Sequence, residues 1–569
     1  MTVKEKLRLF QNFSFWNSNL RCQLAIIILT LFFMVVFSGC IDGGGGQSDE
    51  ELTENMVSTF KASYSDVLAL DANSIDDTNF HDYADKVDSA LLIFGKLTSG
   101  AQKELAAQKA HLDSLAVIIG GYISSETVFF ISPDGDDNNH GTKASPFLTI
   151  GRAEQAVPAG GTVYIRGGVY LIMNQSGAEV FLLYKSGTPI EAINYLAYPQ
   201  DDERPVFDLS GLVPGTEQKI TVFRVTGSNR YFYGIDVRGV PLAQTAADAQ
   251  SECFYNAGNN NVYENITVSG GMGIGFFIAS GSNNLVLNCD AYNNKVSLSN
   301  DPRNGNVDGF ASQLSANTAA GNVFRGCRAW LNSGNGFDLS RSFSAVTVDN
   351  CLAFFNGYGD DPSGAITVGD QKLRSLADGK AGFSAGGYGM DAAGTFPSTA
   401  PRHTVQMSLS FYNNSFGFFS NHHLGGINLY NNTAFMEAEN FNLRNRQSAA
   451  GVAAVNGYNH EMINNLSYKP RTAGKEITEI DIGSSVFLNN SFGIAIKESN
   501  VWQLKKVIEI SDDDFINFDW TELKRDRKAD GSLTFSGFLR PADNSRITGQ
   551  GQRIPGIKYS GSAPNIGCF

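Results

Sequence analysis

Three stretches of the chain share the pattern Cys-x-Ala-aromatic-x-Asn: Asn284-Leu-Val-Leu-Asn-Cys289-Asp-Ala291-Tyr292-Asn-Asn294, Asn322-Val-Phe-Arg-Gly-Cys327-Arg-Ala329-Trp330-Leu-Asn332 and Val346-Thr-Val-Asp-Asn-Cys351-Leu-Ala353-Phe354-Phe-Asn356. Shorter copies follow at Ser410-Phe411-Tyr-Asn413, Ala434-Phe435 and Ser467-Tyr468, and Asn265-Ile-Thr-Val268 precedes them. The intervals from Val268 through Ala291, Ala329, Ala353 and Ser410 to Ala434 are 23, 38, 24, 57 and 24 residues. A unit near 24 residues is one coil of a solenoid, and the longer intervals are coils carrying loops. The interval of 57 is expected to hold two coils.

Such a unit is too short for a four-stranded propeller blade, and sandwiches show no stacked columns. The pattern instead predicts a right-handed parallel β-helix, in which equivalent residues of successive coils stack and no coil buries its face alone. The cysteines at 289, 327 and 351 are expected inside, and the rings from Tyr292 to Tyr468 stack on one another. Asn294, Asn332, Asn356 and Asn413 fit an asparagine ladder at a turn, where asparagine tolerates the left-handed region. A second column, Gly-Phe, recurs at 275–276, 309–310, 336–337, 382–383 and 417–418. The residues flanking it stack as well, so Asp308, Asn335 and Asp338 are expected side by side on adjacent coils. Oxygen ligands meeting in this way suit Ca²⁺.

Composition narrows the function. With 42% hydrophobic residues the chain can build a sizeable core, and 60 Gly without a G-X-Y period indicate turns rather than collagen. A net charge of −14 argues against nucleic acid as a partner, because phosphate binding needs a Lys/Arg surface. A metal ion could still bridge such a protein to an acidic polymer.

The N-terminus reads as an export signal. Lys4, Lys6, Arg8 and Arg21 precede a continuous apolar run at residues 24–37, short for a membrane span. Phe37-Ser38-Gly39-Cys40 resembles a bacterial lipobox, with Phe37 where that motif has Leu, so Cys40 is the expected lipidation site. An uncleaved signal anchor is the alternative. The expected organisation is a lipoprotein signal at 1–40, a flexible tether at 41–48, a helical spacer at 49–120, the β-helix at 126–500 and a C-terminal extension and cap at 501–569. In the spacer, Leu105, Leu112 and Leu115 keep helical spacing, Ser99 with Gln102 resembles a capping box, and Met56, Phe60 and Val67 mark an earlier helix. The five remaining cysteines have no C-x-x-C pairing and read as small buried hydrophobes.

From about residue 127 onward the chain resembles polysaccharide lyase family 9, the β-helical pectate and rhamnogalacturonan lyases. The resemblance rests on Phe130-Ile-Ser-Pro-Asp-Gly135 and Gly161-Thr-Val-Tyr-Ile-Arg-Gly-Gly-Val-Tyr170, an opening shared by many carbohydrate-active β-helices. More specific is Asn306-Val-Asp308-Gly-Phe-Ala-Ser-Gln313-Leu followed by Gly321-Asn-Val-Phe-Arg-Gly-Cys-Arg-Ala-Trp330. The resemblance implies a pectin-type uronate polysaccharide as substrate and anti β-elimination as reaction. A lysine abstracts the C5 proton, and a Ca²⁺ held by four aspartates grips the uronate carboxylate.

Carried over by position, that site is incomplete. Asp308 is retained. The family's Asp-Asp-Gly-Trp-Asp falls on Gly334-Asn335-Gly336-Phe337-Asp338, so two of four carboxylates are missing and Ca²⁺ is expected to bind weakly or not at all. The catalytic lysine falls on Ser384 and a second family lysine on Gln313. Lys380, four residues before Ser384, is the alternative cation, with Lys372, Arg374 and Arg341 on nearby loops. Three functions follow: a polysaccharide lyase with a rebuilt site, a non-catalytic glycan-binding lipoprotein derived from a lyase, and a hydrolase, which would need paired Asp carboxylates such as the loop pair Asp360-Asp361. The chain is expected to act as an exported monomer at a bacterial outer membrane or cell surface.

Overall fold

The computed structural model of the protein describes residues 49–68, 80–123, 127–173, 177–215, 219–242, 250–296, 307–315, 319–376, 380–387, 399–448, 453–534, 537–559 and 561–569. The export segment with Cys40 lies outside the described residues. The chain divides into two compact units, at 1–125 and 126–569.

The first unit contains helices α1 (Asp49–Leu68), α2 (Phe80–Gly95), α3 (Ser99–Glu104) and α4 (Ala106–Ile123). Phe60, Val67, Phe94, Leu97, Leu105, Leu112 and Leu115 are buried, as their spacing predicts. The expected capping box does not form. Thr98, not Ser99, is the N-cap of α3, with its hydroxyl accepting from the Ala101 amide, while Gln102 turns back to donate to the Phe94 carbonyl at 3.1 Å. That side chain satisfies a carbonyl at the end of α2 instead of the amide that a box would serve.

The second unit is a parallel β-helix. Its strands form sheets of twelve, ten and nine members, and within each sheet the neighbours follow chain order, so every coil lies on the one before. Parallel strands joined by crossovers take the right-handed sense. The registers Val268↔Ala291↔Ala329↔Ala353↔Ser410↔Ala434↔Ser467 and Tyr292↔Trp330↔Phe354↔Phe411↔Phe435↔Tyr468 match the columns read from the sequence. One expectation fails. Leu352–Phe354 pairs directly with Leu409–Phe411, so the 57-residue interval is a single coil. Part of its surplus goes into a three-stranded antiparallel sheet formed by Tyr358–Asp360, Ile366–Val368 and Gln371–Ser375.

Inside, Phe rings from Phe223 to Phe441 stack coil upon coil, with centroids 4.5 to 5.1 Å apart. That spacing is set by the strand separation, and each ring buries its faces against its neighbours. Cys253, Cys289, Cys327, Cys351 and Cys568 are all free and buried. The ladder also forms. Asn294 donates from its amide side chain to Asn332 Oδ1, Asn332 to Asn356 and Asn356 to Asn413, at 2.9 to 3.1 Å, and Asn413 ends the run on the buried carboxylate of Glu437. The left-handed residues, however, are those just before the ladder: Asn293, Leu331, Phe355 and Tyr412, with φ of 51° to 57°. The ladder asparagine must aim its amide along the stack, so the preceding residue makes the bend whatever its type.

Residues 501–569, expected to extend and cap the helix, first complete a hairpin, in which Val501–Lys505 pairs with Ile494–Glu498. They then run back along the ten-stranded sheet and cover its outer aromatic column, with Phe515, Leu523, Phe538, Ile547 and Ile566 buried against it. Arg527 pairs with Asp290 at 2.5 Å, and the Gly567 amide donates to the Asn464 carbonyl at 2.7 Å, so the tail ties distant coils together.

Candidate functional site

The outward face of the nine-stranded sheet carries one residue per coil in strict register: Arg224, Tyr255, Phe277, Ala311, Asp338, Ser384 and Phe419. An open cavity of about 520 Å³ lies on this column, lined by Phe277, Asp338, Ser384 and Phe419 from the floor. Lys219, Glu252, Gln313, Asn335, Arg341, Lys380 and Asn421 form its walls. The expected juxtaposition of Asp338 with Ser384 is therefore real, and Gln313, Arg341 and Lys380 join them.

Asp308 does not. Its side chain is 2% exposed and sits behind the cavity wall, where Oδ1 accepts the Asn335 amide at 2.6 Å. Burial, then the nearby Asp338 carboxylate, pushes its pKa up to about 7, and the Lys380 ammonium opposes that rise. Asn335 Oδ1 accepts the Ala381 amide at 2.8 Å. Asp338 Oδ1 accepts the Ser340 amide at 3.0 Å and the Ser340 hydroxyl.

Three oxygens of the expected calcium set are thus engaged by the chain itself. Among the described residues no three His, Cys, Asp or Glu side chains are grouped to hold a metal. Ca²⁺ asks for six to eight oxygens. Of the expected set Asn335 and Asp338 line the cavity and Asp308 does not, while Glu252, the cavity's other lining carboxylate, is paired with Lys219, so the donor set does not fit the ion.

Ser384 is 1% exposed, and its hydroxyl accepts from Asn421 Nδ2 at 3.2 Å. Asn421 also donates to Ser340 Oγ at 2.9 Å, so Asp338, Ser340, Asn421 and Ser384 form one polar chain across three coils. No imidazole or carboxylate in that chain bonds the Ser384 hydroxyl, so it has no partner to activate it as a nucleophile. The sequence reading missed Ser340 and Asn421. The signal was there: each lies two residues beyond a member of the floor column, Asp338 and Phe419.

Two further side chains were missed at the other end. Lys219 pairs with Glu252 at 3.4 Å, and burial raises the Glu252 pKa. The floor is aromatic on both sides of the polar centre. Tyr255 and Phe277 adjoin at 5.6 Å, and Phe416 and Phe419 stack at 4.4 Å. Phe277 and Phe419 are four strand steps apart in the register, which at the usual strand spacing is about 19 Å.

The remaining candidates lie elsewhere. Asp360 pairs with Lys295 at 2.6 Å, which ties its loop to an earlier coil, and Asp361 accepts the Ser363 amide at 2.8 Å within the loop itself. Neither lines the cavity, and nor do Lys372 and Arg374 on the antiparallel sheet.

Residues 129–465 match the family model described as "Pel9A-like, right handed beta helix region". The chain belongs to the Pel9A-like right-handed β-helix family, polysaccharide lyase family 9. Pectate lyase L of Dickeya chrysanthemi is 31% identical over 456 residues, 79% of this chain and 91% of that protein. Pectate lyase PEL9 of Emericella nidulans is 28% identical over 450 residues, 74% of this chain and 93% of that one. Among solved structures, a rhamnogalacturonan lyase superposes with a TM-score of 0.66 at 40% identity, covering 74% of this chain and 97% of its own. Pectate lyase Pel9A does so at 0.60 and 27%, covering 78% and 96%. The chain is accordingly polysaccharide lyase-like in fold and ancestry.

Proposed function

We propose that this protein binds a pectin-type uronate polysaccharide along the outward face of the nine-stranded sheet, as a non-catalytic glycan-binding relative of the lyases. The observation that carries the reading is Ser384. It stands where the family resemblance places the catalytic lysine, it is buried, and its hydroxyl is held by Asn421. A serine without a neighbouring base does not abstract a C5 proton. Lys219, Arg341 and Lys380 around the cavity supply charge for carboxylates, and Phe277 and Phe419 supply apolar faces on which sugar rings can stack. The names of the relatives, pectate lyase and rhamnogalacturonan lyase, support an acidic plant-type polymer as the ligand.

A second reading, β-elimination with Lys380 as the base, is favoured by the place of Lys380 beside Ser384 and Asp338 on the cavity wall. One experiment separates the two. The mature protein is incubated with polygalacturonate and rhamnogalacturonan, and both retention and absorbance at about 232 nm, the signature of unsaturated uronate products, are followed. Retention with flat absorbance is the expected result. Rising absorbance that is abolished in Lys380→Ala would install the second reading.

The localisation belongs to the same proposal. Lipidation at Cys40 would anchor a monomer at a bacterial outer membrane or cell surface, with the helices as spacer and residues 126–569 presented to the polymer. Cys40→Ala should then release the protein from the membrane fraction, and unchanged fractionation would refute the anchor.

A further inference from the structure

Resting on the binding reading above, we propose that Lys380 takes the place of the calcium ion, so that the groove holds the uronate carboxylate by a fixed ammonium and binds its polymer without metal.

The argument begins at Gly334. A Cβ there would lie 2.5 Å from Asp308 Oδ1 and 2.6 and 2.7 Å from the Val307 carbonyl carbon and oxygen. The Asp308 carboxylate and the adjoining Val307 backbone therefore occupy the space into which an aspartate at 334 would project. Loss of that aspartate is thus built into the packing, and the site has closed around its absence.

The charge that the closed site needs comes from the next coil. Gly334 and Lys380 lie three residues upstream of the paired Phe337 and Phe383. The coils are clamped at this point, because the Ala381 amide donates to Asn335 Oδ1 at 2.8 Å and the Gly336 amide to the Ala381 carbonyl at 3.0 Å. Lys380 is 8% exposed yet reaches the cavity wall. Room for its stem is kept by Gly357, with φ of 83°, where a Cβ would come within 2.5 Å of the Lys380 Cβ. Lys380 shares the cavity wall with Asn335 and Asp338, two of the residues expected to serve the ion. A lysine with a long stem held in a walled position brings its charge at less entropic cost than a loose surface lysine would.

Lys380 is therefore placed to meet a substrate carboxylate arriving from the cavity. Asp308 Oδ1 and Asn335 Oδ1 are taken by backbone amides, and the positive charge at this point of the wall is a side chain.

The test uses the full mature protein and polygalacturonate, with affinity measured by calorimetry in excess EDTA and again in excess Ca²⁺. The expected result for the native protein is the same Kd in both within about twofold. Lys380→Gln should lose about tenfold or more in both, the worth of one charge-assisted bond. Lys380→Arg, which keeps the charge but cannot act as a base, should stay within about threefold. Binding that disappears in EDTA would overturn the inference while leaving the binding reading intact. Native-like affinity in a folded Lys380→Gln would overturn it too. Failure of the native protein to bind in either buffer would overturn the binding reading and the inference with it. The EDTA comparison needs no variant, so a misfolded substitution cannot shelter the idea.

Discussion

Restoring the missing aspartate should not restore the site. In Gly334→Asp the new Cβ meets Asp308 Oδ1 at 2.5 Å and Val307 backbone atoms at 2.6 and 2.7 Å. Backbone cannot rotate aside, and the Gly334 amide is itself fixed by a 2.8 Å bond to the Val307 carbonyl. Overpacking of this kind costs about 1–3 kcal/mol. The new carboxylate also arrives beside Asp308, whose pKa is already pushed up to about 7, so Asp308 takes up a proton instead of bearing the full repulsion, at about 1 kcal/mol near neutral pH. Gly334→Ala should therefore lose only the steric part, and Gly334→Asp about 2–4 kcal/mol in all. The obstacle is space, since Gly334 does not have a positive φ. The assay is urea unfolding followed by tryptophan fluorescence for native, Ala and Asp proteins, with calcium calorimetry on the Asp protein. The difference between the two variants isolates the charge. A loss under about 1 kcal/mol in Gly334→Asp, together with new Ca²⁺ binding, would refute both the packing argument and the claim that the donor set no longer fits the ion.

Asn356→Ala removes a side chain that donates to the Ala329 carbonyl and Asn413 Oδ1 at 2.9 Å and accepts twice from Asn332 at 3.1 Å. With two buried donors orphaned at about 1–3 kcal/mol each, the loss should be about 4 kcal/mol by urea midpoint, and a loss below about 1 would mean that water replaces the ladder freely. Acid should weaken the fold through His460, whose pKa is pushed down to about 3 by burial, then by His423 and Arg402. A depressed histidine contributes stability that is complete above the unfolded value of about 6.5 and lost as pH falls towards 3, up to about 4–5 kcal/mol. His460→Asn, in which the amide oxygen can still accept the Ile427 amide that now bonds His460 Nδ1 at 3.2 Å, should flatten that part of the profile; identical acid profiles for the two proteins would contradict it. Phe277→Ala should weaken polysaccharide binding about tenfold with little change in Tm, read by affinity electrophoresis, and unchanged mobility would remove the aromatic floor from the site.

The stack of coils was legible because a β-helix writes its tertiary contacts into the sequence at a fixed interval. Ala291 meets Ala329, and Phe310 meets Phe337, for the same reason that they align as text: each coil is the neighbour of the next. The same periodicity brought Asp338 and Ser384 together on paper before the structure did. Where the interval broke, the reading broke with it. The 57 residues between Ala353 and Ser410 look like two coils because length alone cannot tell a coil from an excursion; only the pairing of Leu352 with Leu409 does.

Direction along a side chain is likewise absent from the alignment. Asp308 stands in the column next to the floor, yet its carboxylate is buried against Gly334 and does not line the cavity, because an aspartate with a backbone amide at 2.6 Å has a better partner than solvent. The exchange of aspartate for glycine at 334 reads as a lost ligand in one dimension. In three it is a filled space, with Lys380 from the following coil set against it. Sequence determined which residues share a face, since strand period and coil length are local properties. Tertiary structure decided which of those residues reach the groove, because that depends on the backbone amides and side chains each one meets across the stack.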